Sequence, residues 1–210
     1  MPEFHQLIRF HAIPLITKVT SILALIIMKK LLKGFEQDII DIIKVFGPSF
    51  LVVWLLTTFI IANSYIPSGS MESTIMTGSR VMGNRLAYKF GTEPQRGEII
   101  IFRYPDNPKI YFVKRLIGLP GDTVEIKKNV SDPGYGSVYI NGEPLEENYL
   151  NEKMEVPEEM SFEVPEDSYF FLGDNRNYSN DARYWEHTYV KKDALVAKVI
   201  FQYWKGFKKF

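Results

Sequence analysis

The chain has 210 residues, a formal net charge of zero from 25 Lys plus Arg against 25 Asp plus Glu, and 46% hydrophobic residues. That length holds one domain of ordinary size plus membrane segments, and the balanced charge leaves no global field to recruit nucleic acid or acidic partners. With no cysteine the chain has no disulfide framework, thiol catalysis or zinc–thiolate site, and its three histidines, His5, His11 and His187, are too few and too scattered for a metal centre.

In chain order, the first apolar stretch is 19–28, preceded by Arg9, His11 and Lys18. It is short for a bilayer. It reads either as a first span within 7–28, with Lys18 displaced toward a polar partner, or as an interfacial helix. No small-x-small cleavage site follows before Lys29, so it is a poor signal peptide. Residues 29–45 carry Lys29, Lys30, Lys33 and Lys44 beside Glu36, Asp38 and Asp41. Lysines close to span ends favour a cytoplasmic loop. Within it Ile39, Ile42, Ile43 and Phe46 fall at helical spacing, which predicts a short amphipathic helix at the interface. No charge interrupts 45–71. A span needs roughly 20 apolar residues, so 46–66 is the expected main transmembrane helix, closing a membrane region over 1–66. The alternative, a buried core helix, fits poorly with a run so long and uniform. The chain after Ile66 is then expected outside the cytoplasm.

The remainder reads as mainly β. Candidate strands at 80–88, 98–104, 110–117, 123–127, 138–140, 161–164, 169–172 and 194–203 are rich in Val, Ile, Phe and Tyr and separated by Gly, Pro and Asn turns. Asn141-Gly142 after Val138-Tyr139-Ile140 is a hairpin signal. Residues 128–167 are richer in Glu, Pro and Asn and read as an inserted subdomain, with 143–160 a weakly structured loop. Residues 67–127 and 168–203 make up the main β domain. The tail 204–210 mixes aromatics with lysines, as interfacial segments do, or ends a packed strand.

Two residues stand out chemically. Ser70 sits in Pro67-Ser68-Gly69-Ser70-Met71, directly behind the apolar run, and Lys114 sits in the apolar strand Tyr111-Phe112-Val113-Lys114-Arg115-Leu116-Ile117. A lysine can replace the histidine of a catalytic triad where burial lowers its pKa enough to leave it neutral. Phe112, Val113 and Leu116 supply the apolar surroundings. By themselves, Ser70 also reads as a turn serine and Lys114 as a surface lysine whose stem lies along a strand. Only His187 offers a histidine base in the soluble part.

Four blocks occur in order: Pro67-Ser68-Gly69-Ser70-Met71; Arg96-Gly97-Glu98-Ile99-Ile100-Ile101-Phe102; Lys114-Arg115 leading to Gly118-Leu119-Pro120-Gly121-Asp122; and Gly173-Asp174-Asn175-Arg176 with Ser179, Asp181 and Arg183. Together, from about Ile66 to Phe201, they resemble the bacterial type I signal peptidases, membrane-bound serine proteases that remove signal peptides from exported proteins. Lysine at 114 resembles the bacterial form, since the endoplasmic-reticulum form carries histidine there. Ser73, Asn177-Tyr178 and Glu186 depart from the usual pattern, which puts local loop geometry in question.

The resemblance implies a membrane-anchored Ser-Lys protease β fold with a small inserted β subdomain, needing no cofactor and no metal. It implies Ser70 as nucleophile, Lys114 as general base, and an oxyanion hole from the Ser68 hydroxyl and the Ser70 backbone N–H. Ser179 would orient the lysine amine. Asp174, Asp181 and Arg183 would form ion pairs that hold the loop around Ser179. Ile66, Met71, Ile75, Phe112 and Val113 would line small-residue pockets, although as bare sequence they read equally as core. The implied partners are signal-peptide-bearing preproteins and membrane lipid, and the implied location is the bacterial plasma membrane with the catalytic domain on its extracytoplasmic side. Two other classes fit parts of the chain. One is a non-catalytic membrane-anchored β domain that binds export partners, though Ser70 and Lys114 are both present. The other is a Ser-Lys self-cleaving regulator, which would carry a cleavage site in a linker that this sequence lacks.

Overall fold

A computed structural model describes residues 9–210, with side chains from residue 20 onward. His5 therefore lies outside the described residues, as does the start of the predicted 7–28 segment. The chain divides into two units at Trp54.

The first unit is one α-helix, α1 (Arg9–Leu55). The expected loop at 29–45 is thus continuous helix. Its isoleucines have the predicted helical spacing, and Gln37 and Lys44 both reach Asp41 along the helix, at 3.1 and 3.2 Å. Residues 29–45 hold no proline, so no backbone N–H donor is lost there and helical hydrogen bonding carries through. Thr20–Ile60 is long and apolar enough to cross a membrane. At 1.5 Å per residue its 41 residues extend about 62 Å, roughly twice the hydrocarbon thickness of a bilayer.

The second unit begins with a π-helical turn, Leu56–Ile60. The expected helix over 46–66 then gives way to a strand, β1 (Ile61–Tyr65). Pairing explains the change: Ile61–Tyr65 lies antiparallel to β2 (Arg80–Asn84), with Ala62 buried and Asn63 and Tyr65 exposed. The chain continues through β3 (Ile99–Tyr104) and β4 (Asn107–Gly118). It then leaves for β5 (Thr123–Asn129), β6 (Asp132–Ile140), β7 (Glu143–Pro144), β8 (Met154–Glu155) and β9 (Met160–Glu163). It returns as β10 (Ser168–Leu172), β11 (Val190–Lys191), β12 (Leu195–Trp204) and β13 (Lys208–Lys209).

An eight-stranded antiparallel sheet runs β1-β2-β12-β3-β4-β10-β11, with β13 added to β12. A five-stranded sheet runs β7-β6-β5-β9, with β8 on β6. The second sheet starts at Thr123, so the inserted subdomain takes in residues the sequence assigns to the main domain. Asn141 and Gly142 both have positive φ, +53° and +87°, as a two-residue hairpin between β6 and β7 requires. The 143–160 stretch is not a bare loop: it carries β7 and β8 and buries Met154 and Val156.

β3 explains where the core sits. Its residues alternate between faces, sending Ile100 and Phe102 into one apolar cluster and Ile99 and Ile101 into another. The first cluster extends through Leu116, Phe170 and Phe171 to Val124, Ile126 and Val138 of the second sheet. The other joins Ala62, Ile66, Met71, Ile75 and Val81. Phe102 and Phe171 stack at 4.4 Å between ring centroids, both fully buried. Phe171→Ala is expected to lower the unfolding free energy of the β unit by about 3–5 kcal/mol, read by denaturant titration of the detergent-solubilised protein.

Candidate active site

The loop after β1 and the strand β4 form two walls of one cleft. Ile66 donates its N–H to the Ser79 carbonyl at 3.0 Å and accepts from Gly78 N at 2.8 Å, which pinches residues 66–79 into a closed loop. Inside it Glu72 N donates to the Gly69 carbonyl at 3.1 Å and Ile75 N to the Met71 carbonyl at 2.8 Å. Ser68, Gly69 and Ser70 sit at the turn, facing 110–114 of β4 across a cavity of about 410 Å³. Met71 is buried beneath them.

Lys114 lines this cleft from the face of β4 opposite to that of Val113, which lines it too. The Lys114 Cα pairs with Ile100 of β3, on the side of the sheet that holds Phe102 and Phe112. The side chain is 3% exposed, and its Nζ donates to Ser179 Oγ at 3.0 Å and lies 5.6 Å from the Phe112 ring centre. Burial lowers its pKa from the ordinary 10.5 to about 8. The Asp181 and Asp174 carboxylates oppose that shift and the Arg183 guanidinium assists it. Desolvation is the largest of these effects.

The two carboxylates also build the loop that carries Ser179. Asp181 accepts Arg183 Nε at 2.8 Å and Nη2 at 2.9 Å, and takes Gly173 N at 3.0 Å. Asp174 instead pairs with Arg115, through Nε at 2.8 Å and Nη2 at 2.6 Å. The expected Asp174–Asp181–Arg183 grouping is therefore two separate pairs, one to β4 and one within the loop. Arg176 is buried against Glu147 and reaches the Gly173 carbonyl at 3.1 Å. Arg183 closes the ring at the Arg176 carbonyl, 2.6 Å away. Bidentate arginine–carboxylate pairs of this kind fix orientation as well as charge.

The loop is sewn to the serine turn by Asn175, whose backbone N–H donates to the Ser70 carbonyl at 3.1 Å and whose side chain donates to the Gly69 carbonyl at 3.0 Å. Gly173 permits the approach: a Cβ there would press on the Ser70 carbonyl and come within 2.6 Å of Ser179 Cβ. Motif spacing placed Asn175 in a recognised block without disclosing its role; the contact spans a hundred residues of chain.

Of the predicted pocket residues, Ile66, Met71, Phe112 and Val113 line the cleft. Ile75 does not: it is fully buried behind Met71, because the turn at 71–75 rotates it inward. Tyr65, Pro67, Ile110, Tyr111, Tyr178 and Asn180 complete the lining. His187 is elsewhere, with Nδ1 2.8 Å from Asp106 Oδ1 and the ring largely in solvent. Asn177 bonds Glu155 N at 2.9 Å and the Lys153 carbonyl at 3.1 Å, tying the loop to β8.

A family profile described as "Signal peptidase, peptidase S26" matches residues 39–204. The chain belongs to this signal peptidase family. Among its relatives, signal peptidase I of Pseudomonas aeruginosa is 33% identical over 201 residues, covering 80% of this chain and 70% of that one. Signal peptidase I of Leptolyngbya laminosa is 35% identical over 179 residues, covering 80% of this chain and 81% of that one. Signal peptidase I P of Bacillus subtilis subsp. natto is 31% identical over 179 residues, covering 80% and 92%. Membership makes the chain a peptidase with an N-terminal membrane anchor, and the cleft between the serine turn and β4 is the place in it where a hydroxyl, a buried amine and an apolar trough meet.

The buried lysine has a measurable cost in this signal peptidase. Because protonation is the charged state, the unfolded chain binds more protons than the folded one between pH 8 and 10.5, and stability rises with pH across that window. Below it the folded state bears the whole penalty, about 3 kcal/mol. Lys114→Met is expected to abolish this rise while leaving the rest of the pH–stability curve in place, as followed by denaturant unfolding at successive pH values.

Proposed function

We propose that the protein removes N-terminal signal peptides from exported preproteins with Ser70 as nucleophile and Lys114 as general base. The observation that carries this is the desolvated Lys114 amine, held by Ser179 in the same cleft as Ser70. Neutral Lys114 takes the Ser70 hydroxyl proton as the oxygen attacks the scissile carbonyl carbon. The tetrahedral oxyanion is met by the Ser68 hydroxyl and the Ser70 N–H. Its collapse breaks the C–N bond, and the Lys114 ammonium returns the proton to the leaving amine. Water, activated by the same amine, then releases the acyl chain from Ser70.

The apolar trough sets what fits. Ile66, Met71, Phe112 and Val113 leave small volumes beside Ser70, suited to small side chains such as Ala at the first and third positions before the cut. Ile75 backs Met71 rather than touching substrate. The anchor argues for a bacterial plasma membrane, and Lys29, Lys30, Lys33 and Lys44 favour the cytoplasm for their segment, leaving the β unit outside.

The decisive experiment incubates detergent-purified protein with a preprotein and sequences the new N-terminus. Ser70→Ala and Lys114→Ala should each abolish cleavage, and the double variant should be no worse than either alone, because groups acting as one unit are non-additive. Ser68→Ala should lower kcat by roughly 10- to 10³-fold with little change in KM; an effect on KM alone would reduce Ser68 to a turn residue.

Activity should also climb with pH through about 8, as the buried Lys114 loses its proton, and His187→Ala should leave that limb in place. Loss of the limb with His187 would make histidine the base.

A further inference from the structure

The tail after β12 does more than end a sheet. It turns back at Lys205 and Gly206, both left-handed at φ +59° and +103°. Lysine rarely adopts that conformation, and strain of this kind persists where surrounding contacts over-determine it. Here buried Gln202 donates to both turn carbonyls, at 3.1 Å to Lys205 and 3.3 Å to Gly206. β13 pairs back on β12, and Phe210 N donates to the Ile200 carbonyl at 2.9 Å.

The strained turn aims two ammonium groups at the serine loop. Lys205 Nζ donates to the Thr77 carbonyl at 2.9 Å and Lys208 Nζ to the Thr74 carbonyl at 3.3 Å. Thr77 in turn gives its N–H and hydroxyl to one Glu72 oxygen, at 3.1 and 2.6 Å. The Glu72 carboxylate lies against Gly69, the residue before Ser70, where an added Cβ would meet it at 3.0 Å. Phe210 packs on the apolar cluster that holds Met71 and Ile75. A chain of contacts thus runs from the tail to the residues on both sides of Ser70.

We propose that the β12–β13 hairpin is a clamp on the serine loop, with Lys205 and Lys208 as positioning residues that act on Ser70 through Thr74, Thr77 and Glu72. The proposal rests on the reading of Ser70 as nucleophile. Neither lysine lines the cleft. Their effect is on where the Ser70 oxygen sits, and a displacement of about 1 Å costs up to about 100-fold in rate.

The test uses the full chain in detergent and the double variant Lys205→Gly with Lys208→Ala. Glycine relieves the left-handed strain at 205 while deleting the clamp; Lys205→Gly alone serves if the double variant folds poorly. Expected are a kcat lower by about 10- to 100-fold, KM within about twofold, and an unmoved pH midpoint, with Lys205→Arg restoring most of the rate. Amide hydrogen exchange at 72–79 should accelerate in the same variant. A folded variant with parental kcat and parental exchange at 72–79 overturns the clamp, as does a rise in KM alone. Ser70→Ala is measured alongside. Should it retain activity, the nucleophile reading fails, and the exchange at 72–79 still decides whether the hairpin holds the loop.

Discussion

Everything in the cleft depends on keeping one amine out of water. An exposed lysine is an ammonium at neutral pH and has no lone pair to accept a proton. Lys114 escapes this because β4 carries it under the Ser179 loop into a sheet face walled by Phe112 and the Phe102 side of the core, where desolvation outweighs two neighbouring carboxylates. Asp174 and Asp181 both favour the charged amine. Arg115 and Arg183 hold them in bidentate pairs.

The ion pairs therefore have a role that a count of salt bridges would miss. Replacing buried pairs by apolar residues is often neutral for stability, but here each pair also sets a guanidinium against a carboxylate that favours the charged form of Lys114. Arg115 is the neighbour of Lys114 in β4 and points to the other face, so a single strand supplies both the buried amine and the partner of Asp174. The connection between β7 and β8 contributes Glu147 to Arg176 and so supports the same loop. Asn175 then couples this loop to the Ser70 turn, so that the segments carrying Ser70 and Ser179 are referenced to one another through backbone carbonyls.

Much of this was legible in the sequence. The strands and the Asn141-Gly142 hairpin follow from local pattern and turn chemistry, while the approach of Ser179 to Lys114 is implied only by the family resemblance. What escaped was non-local or ambiguous by nature. The charged 29–45 segment reads as a loop because polarity is a weaker helix signal than backbone continuity, and the structure makes it one helix with its neighbours. Residues 61–65 are apolar enough to extend a span, and only the partner strand at 80–84 makes them a sheet edge. The same limit hid the Arg115–Asp174 pair, the withdrawal of Ile75 into the core and the return of the tail as β13, since each depends on which distant residue arrives opposite.

The most direct test of the central claim is the titration of Lys114 itself. Side-chain nitrogen resonances of isotopically labelled lysines, followed by NMR against pH in the detergent-solubilised protein, would report it, with the Lys114 signal assigned by its loss in Lys114→Arg. The account predicts a midpoint at about 8, set apart from the surface lysines. A midpoint at the ordinary lysine value of 10.5 would contradict it.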